Sequence, residues 1–150
     1  MDLILWRHAE AEPGVPDLGR RLTAKGVQQA QRVAGWLDRH LPSTARVLAS
    51  PADRAQQTAL ALKRKFRVVP ELAPGASPAT VLAAAGWPDA REPVLVVGHQ
   101  PALGEVAALL LSGEEAAWSV RKGAVWWLTR RVRGSEAGVV LKVVIGPEFV

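Results

Sequence analysis

Short runs of apolar residues alternate along the chain with longer segments in which apolar residues recur every three or four positions. Runs that are apolar throughout predict strands buried on both faces of a sheet, whereas the longer spacing predicts amphipathic helices. The predicted strands cover residues 3–6, 46–49, 66–69, 93–97, 124–129 and 138–145. The predicted helices cover residues 23–41, 52–65, 78–85 and about 101–111, the first of them capped by Thr23 and stopped by Pro42.

The alternation of strands and helices predicts an α/β fold, a three-layer sandwich with a mainly parallel central sheet and helices on both faces. The last two predicted strands form a carboxyl-terminal hairpin, joined by residues 130–137, at one edge of the sheet. A chain of 150 residues that is 49% hydrophobic has the size of one globular domain, so residues 1–150 are expected to form a single domain. Sheets of this kind bind ligands beyond the carboxyl ends of their strands, where we look for candidate residues.

Composition narrows the possible functions. The chain has no cysteine, which excludes disulfides, thiolate nucleophiles and zinc–thiolate sites. Its apolar runs are too short to span a membrane and its start lacks the cationic region of a secretory signal, so a cytoplasmic protein with no membrane partner is expected. A formal net charge of +5 attracts anions. The arginines form no stripe interleaved with aromatic residues, so nucleic acid is not an expected partner.

Cationic and imidazole side chains follow three of the predicted strands. Arg7 and His8 follow the first strand, Arg54 follows the second within residues 50–54, and His99 follows the strand that ends at residue 97. A single histidine at a strand end is most often structural, but the same context recurs three times here. Groups of this kind facing one cleft would repel each other unless an anion lay between them, and a tetrahedral phosphate accepts hydrogen bonds from all of them. The pattern therefore predicts a phosphate site.

Neither a metal nor another cofactor is expected. The histidines lie far apart in the sequence without the carboxylate spacing of common metal sites, and arginines would repel a cation from the cleft. His40, beside Arg39 at the end of a predicted helix, is interpreted as structural.

Four segments resemble the histidine phosphatase superfamily, whose fold is that of phosphoglycerate mutase. They read LILWRHA at residues 3–9, LTAKG at 22–26, ASPADRAQQTA at 49–59 and VVGH at 96–99. The segments occur in the family's order and span about the first hundred residues. The chain also resembles the short, SixA-like phosphohistidine phosphatases in its length and in residues 17–23.

The resemblance implies roles for particular residues. His8 would be the nucleophile and form a phosphohistidine intermediate that water hydrolyses, while Arg7, Arg54 and His99 would bind the phosphate. The same neighbouring cations favour a neutral imidazole and offset charge in the transition state. Arg20 would be a further phosphate or substrate contact, with a solvated loop arginine as the alternative.

Two departures from the family pattern affect these expectations. Ala9 stands where the family usually has glycine, so either the turn here is an ordinary one or the nucleophile is less well placed. Glu71 matches a family glutamate but has no second carboxylate near it, and Glu10 and Glu12 are left unassigned as loop carboxylates, so a general acid is doubtful.

A poor general acid suits a phosphorylated imidazole, which in its protonated form can leave as a neutral ring and needs no further proton in the transition state. This favours phosphohistidine in proteins as the substrate of a metal-independent phosphatase. Two alternatives stay open: hydrolysis of small phosphate esters by the same mechanism, with Glu71 or another carboxylate as the acid, and a non-catalytic module that only binds phosphate or a phosphoprotein. The oligomeric state is not predicted.

Overall fold

The structure is a computed structural model that describes all residues, Met1–Val150. Its six strands are β1 (Asp2–Arg7), β2 (Arg46–Ala49), β3 (Arg67–Val68), β4 (Val94–Gly98), β5 (Val125–Arg133) and β6 (Glu136–Ile145). Its four α-helices are α1 (Ala24–His40), α2 (Asp53–Leu60), α3 (Pro78–Ala85) and α4 (Ala102–Ser112). No helix in it is both long enough and apolar enough to cross a membrane.

The six strands form one mixed sheet in the order β3-β2-β4-β1-β5-β6. The pairs β3–β2, β2–β4 and β4–β1 are parallel, whereas β5 runs antiparallel to β1 and β6 antiparallel to β5. The prediction of a mainly parallel sheet with a carboxyl-terminal hairpin at one edge is therefore confirmed.

Helices cover both faces of this sheet, because alternate residues of the central strands point to opposite sides. Ile4 and Trp6 of β1 pack in one buried cluster with residues of α1 and α2. Leu3 and Leu5 pack on the other side with residues of α3 and α4. The expected three-layer sandwich is present.

Two predicted boundaries are wrong. Helix α2 ends at Leu60 and not at Lys65, and Lys63 has a left-handed backbone (φ 56°), which a helix does not accommodate. In the hairpin, pairing continues to Arg133 and Glu136, so most of the predicted connection at residues 130–137 is strand. This end of the hairpin is exposed, and its polar residues resemble those of a loop.

Strand register aligns the chain segments that carry the candidate residues. Arg7 of β1 lies beside Gly98 of β4, and Ala49 of β2 lies beside Val97. The pairing extends beyond the strands, since the backbone N–H of His8 donates to the carbonyl of Gly98 at 3.1 Å. Segments distant in sequence thus leave the sheet side by side.

Candidate active site

The two candidate histidines lie together beyond the carboxyl ends of β1 and β4. The ring centroids of His8 and His99 are 5.1 Å apart, and the rings are tilted by 55°. Their side chains are almost completely buried, with 7% and 6% of the residue surface exposed. The sheet thus brings two imidazoles that are 91 positions apart in the sequence to one place.

The environment of His8 fixes its tautomer. Its Nδ1 lies 2.8 Å from the carbonyl oxygen of Ala9, and a carbonyl can only accept, so Nδ1 carries the proton and donates. In the neutral ring the lone pair is then on Nε2. Burial lowers the pKa of His8 to about 4, and the charges of Arg54, Arg7 and Arg20 act in the same direction. The His8 ring is therefore neutral at neutral pH, with the lone pair of Nε2 unprotonated.

His99 is held by a hydroxyl group. Its Nε2 lies 2.7 Å from Oγ of Ser50, a fully buried residue that directly follows β2. Its Nδ1 is buried and has no hydrogen-bond partner. The pKa of His99 is lowered to about 3, mainly by burial and in addition by the neighbouring His8 and Arg54.

Arg7 projects from the last position of β1. One terminal nitrogen, Nη1, donates to the carbonyl of Val120 at 2.9 Å, which orients the guanidinium group. Its Nε is buried without a partner. Burial lowers the pKa of Arg7 from its usual high value, because desolvation disfavours the charged form.

Arg54 comes from the first turn of α2 and is held by Asp17. Nη1 of Arg54 donates to the Asp17 carbonyl at 2.8 Å, and Nη2 donates to the Asp17 carboxylate at 3.1 Å. Arg20 also donates to this carboxylate, at 3.1 Å, and its Nε donates to the carbonyl of Glu12 at 2.7 Å. Asp17 therefore joins the two arginines, and Arg20 is not a free loop residue.

Three buried side-chain nitrogens have no hydrogen-bond partner: Nε of Arg7, Nε of Arg54 and Nδ1 of His99. Unpaired buried polar atoms are rare in folded proteins and require an explanation. All three belong to residues that the sequence analysis predicted as phosphate ligands. A tetrahedral oxyanion bound here would offer acceptors to such nitrogens.

Sequence reasoning missed the residues that hold this arrangement in place. Thr58 of α2 accepts from the backbone N–H of Ala9 at 3.1 Å and donates to the Arg54 carbonyl at 2.8 Å, so one hydroxyl links both segments. Asp17 and Ser50 were quoted within motifs without a role of their own. The four-residue spacing of Arg54 and Thr58 on one helix was the available signal.

Ala9 does not need the conformational freedom of glycine. Lys63 is the single non-glycine residue with a positive φ, so the turn after His8 is an ordinary one. Ala9 is fully buried and packs with Leu22 and Ala30. Of the two alternatives raised by this departure, the structure favours the ordinary turn.

The candidate acids differ in position. Glu71 is exposed and lines a depression with Leu48 and Thr80, whereas Arg7 lines another. Glu10 lies in the same groove as Arg7 and accepts a hydrogen bond from Thr23 at 2.8 Å. Glu12 is exposed. No group of three or more His, Cys, Asp or Glu side chains is arranged to hold a metal.

An α/β sandwich with imidazole and guanidinium groups at the carboxyl ends of parallel strands is the framework of an oxyanion-binding enzyme. A model of the histidine phosphatase superfamily (branch 1) matches residues 3–76. Phosphohistidine phosphatase SixA of Escherichia coli (strain K12) is 33% identical over 123 residues, which cover 76% of each chain.

Solved structures agree with this similarity. The structure of a protein histidine phosphatase SixA complexed with tungstate superimposes with a TM-score of 0.79 at 27% identity, covering 99% of both chains. A putative phosphohistidine phosphatase SixA from Nakamurella multipartitia gives 0.78 at 29% identity and covers 97% of this chain and 95% of the other. The chain belongs to the histidine phosphatase superfamily, is SixA-like, and is a hydrolase of the phosphatase type.

Proposed function

We propose that this protein hydrolyses phosphohistidine in proteins, without a metal, through a phosphoryl group carried on Nε2 of His8. The geometry of His8 is the observation that carries this proposal. The Ala9 carbonyl fixes the proton on Nδ1, and burial with nearby arginines holds the ring neutral. A histidine in this state is a competent nucleophile at neutral pH.

The reaction has two steps. Nε2 of His8 attacks the phosphorus atom and a new N–P bond forms. The N–P bond of the substrate breaks with its electron pair going to the substrate imidazole, whose other nitrogen already carries a proton, so that it departs as a neutral ring. Water then attacks the phosphorus on His8, and the N–P bond to Nε2 breaks with its electron pair returning to the ring. Inorganic phosphate departs as H2PO4−, which keeps both protons of the water, and the neutral His8 ring with its proton on Nδ1 is restored. Arg7, Arg54 and His99 bind the oxygens throughout and stabilise the transition state electrostatically.

Arg20 has a role in this proposal that differs from those of the phosphate ligands. Arg20 and Arg54 donate to the same Asp17 carboxylate, so Arg20 lies beside the predicted phosphate ligands. Its charge also contributes to the low pKa of His8. We assign it as a substrate contact at the edge of the phosphate pocket. This role differs from that of Arg54, which is 4% exposed and lies within the pocket.

Neither Asp17 nor Glu71 is placed or protonated so as to serve as a general acid, which favours a leaving group that needs none. Hydrogen bonds from Arg20 and Arg54 lower the pKa of Asp17, so that it is ionised and cannot donate a proton at neutral pH. Glu71 lies in a different depression from Arg7. A phosphorylated imidazole that carries a proton on its other ring nitrogen leaves as a neutral ring without this help, whereas an alkoxide requires a proton.

The relatives support the same substrate class. The Escherichia coli protein is named a phosphohistidine phosphatase, and another SixA was solved with tungstate, a tetrahedral oxyanion.

Hydrolysis of small phosphate esters is the second candidate. Glu10 favours it, because its carboxylate shares a groove with Arg7 and could protonate an alcohol.

The decisive experiment measures phosphate release from a phosphohistidine peptide and from para-nitrophenyl phosphate, with chelator present. His8→Ala should abolish turnover, and His40→Ala is the matched control, because His40 is exposed and stacks on Trp36. A strong preference for the peptide supports the proposed substrate. Preference for the ester assigns the small-molecule alternative, and loss of activity with chelator contradicts metal independence.

A folded protein that releases no phosphate from either substrate, yet binds inorganic phosphate, would instead be the non-catalytic module. Binding should then survive His8→Ala. Two expectations stay predictions: that residues 1–150 form a single catalytic domain, and that the protein is cytoplasmic. Limited proteolysis of the intact chain would check the first.

A further inference from the structure

A large groove begins at Arg7 and extends away from the two histidines. It has a volume of ≈ 870 Å³ and lies between α1, the loop that precedes β5 and the last residues of the chain. Arg7 lines this groove and is also one of the predicted phosphate ligands, so the groove borders the candidate phosphate site. A substrate whose phosphoryl group lies at His8 would place its flanking atoms in this groove.

The groove is strongly cationic. Arg7, Lys25, Arg32, Arg121 and Lys122 line it, against two carboxylates. Lys25 and Arg32 come from α1, and Arg121 and Lys122 from the loop, so positive charge lies on two opposing sides. These five side chains include more than a quarter of the 19 Lys and Arg residues in the chain. Long-range attraction of an anionic partner follows from such a concentration.

One groove arginine already contacts a carboxylate of this chain. Nη1 of Arg121 lies 3.8 Å from Glu148, and both side chains are largely exposed. An exposed pair at this distance contributes little stability. A carboxylate from another molecule could therefore replace Glu148 at small cost.

The lining identifies the kind of occupant. Small-molecule pockets are mostly apolar and enclosed, whereas this groove is open and Val120 is the one hydrophobic residue among the 13 that line it. Its volume is also much larger than a phosphoryl group requires. No aromatic side chain lines it, whereas single-stranded nucleic acids are held by stacking on aromatic side chains. An extended acidic polypeptide fits these features best.

We propose that this groove binds acidic residues that flank the phosphorylated side chain of a protein substrate, and that Lys25, Arg32, Arg121 and Lys122 determine this preference. The inference rests on the proposed function and narrows its substrate class to phosphorylated sites in an acidic context.

Two phosphohistidine peptides of equal length test the proposal, one with glutamate on both sides of the phosphohistidine and one with glutamine in the same places. The readout is the ratio of their kcat/KM values. Several exposed ion pairs, each of them weak, together predict a ratio of about tenfold at low salt. The ratio should fall towards one as salt screens the charges.

A groove variant with Lys25→Gln, Arg32→Gln, Arg121→Gln and Lys122→Gln should reduce this ratio to near one. The matched control carries Arg39→Gln, Arg91→Gln, Arg131→Gln and Arg133→Gln, which remove the same charge from exposed positions outside the groove. The control should keep the ratio. Equal loss in both variants would show an effect of net charge alone and overturn the proposal.

The failure of this inference is distinguishable from failure of the proposed function. Hydrolysis of both peptides at equal rates by the unmodified protein overturns the groove assignment and leaves the phosphatase intact. If neither peptide is hydrolysed, calorimetry with the unphosphorylated peptides still tests the groove, and equal affinities overturn it. A small ester with a second phosphate that shows the same groove-dependent gain would assign the groove to a small polyanion and overturn the polypeptide assignment.

Discussion

Asp17 accepts two hydrogen bonds from the guanidinium group of Arg54, one through its backbone carbonyl at 2.8 Å and one through its carboxylate at 3.1 Å. The carboxylate itself is 55% exposed, whereas the Arg54 side chain is 5% exposed. A residue of the surface loop thus sets the position of a buried arginine. The same carboxylate holds Arg20, so a single side chain orients two cations of the site.

Asp17→Ala should therefore lower kcat/KM by about tenfold, because small displacements of positioning groups weaken catalysis strongly. Asp17→Asn keeps an acceptor oxygen and should lose less. Asp89→Ala, at another exposed aspartate, is the control and should have no effect. Unchanged activity in Asp17→Ala would contradict a positioning role.

The protonation of the histidines gives a prediction that needs no substrate. Burial and neighbouring arginines lower the pKa of His8 to about 4, and burial lowers that of His99 to about 3. Nitrogen-15 NMR should find both rings neutral down to pH 5, with the His8 proton on Nδ1. His8→Asn and His99→Asn provide the assignments, and protonation of either ring above pH 6 would contradict the geometry.

The same pKa values predict how stability depends on pH. Each folded pKa lies below the value near 6.5 of an unfolded histidine, so the unfolded state binds more protons as pH falls below 6.5. The free energy of unfolding should therefore fall by about 1 kcal/mol per histidine between pH 7 and pH 5.5. Urea denaturation at both pH values measures this, and His99→Asn should show a smaller dependence.

Two substitutions at Thr58 test the role of its hydroxyl group. Thr58→Val is nearly isosteric but removes the hydroxyl that accepts from Ala9 and donates to Arg54. The buried N–H of Ala9 then lacks a partner, which costs about 1–3 kcal/mol of stability. We expect kcat/KM to fall about tenfold as the segment of His8 shifts. Thr58→Ser keeps the hydroxyl and should recover most of both losses.

The sequence predicted the architecture because apolar runs report burial directly. The segment 93–97 is apolar throughout, and Val94–Gly98 is indeed a central strand with helices on both faces. The predicted connection of the hairpin was wrong because exposed strands lack apolar runs. At an exposed sheet edge, residues such as Arg133 and Glu136 remain polar on both faces and look like a loop.

The candidate site residues that follow a predicted strand could be predicted from the sequence. Arg7, His8 and His99 directly follow apolar runs, and parallel strands place such ends together. Asp17 carried no such signal, and Thr58 carried only its four-residue spacing from Arg54. The importance of both depends on which backbone groups lie opposite them in the folded chain. Hydrogen-bond partners distant in sequence cannot be derived from local pattern.

Helix α1 supplies a test of how tightly the segment after His8 is packed. A Cβ atom at Gly26 would lie 2.0 Å from the carbonyl oxygen of Glu10, which is backbone and cannot move independently. Gly26→Ala should therefore cost about 1–3 kcal/mol of stability. It should also lower activity, since Glu10 is two residues from His8.

Gly35 lies on the same helix and provides the control. A Cβ atom there has no heavy atom within 4 Å, so Gly35→Ala should raise stability by about 0.5–1 kcal/mol through better helix propensity and leave activity unchanged. Thermal unfolding and phosphate release measured on both variants test whether the contact of residue 26 with Glu10 limits stability and activity. Helix propensity alone would stabilise both variants. A loss of stability and activity in Gly26→Ala alone would therefore be due to the contact with Glu10. Equal stability and activity of the two variants would contradict tight packing behind His8.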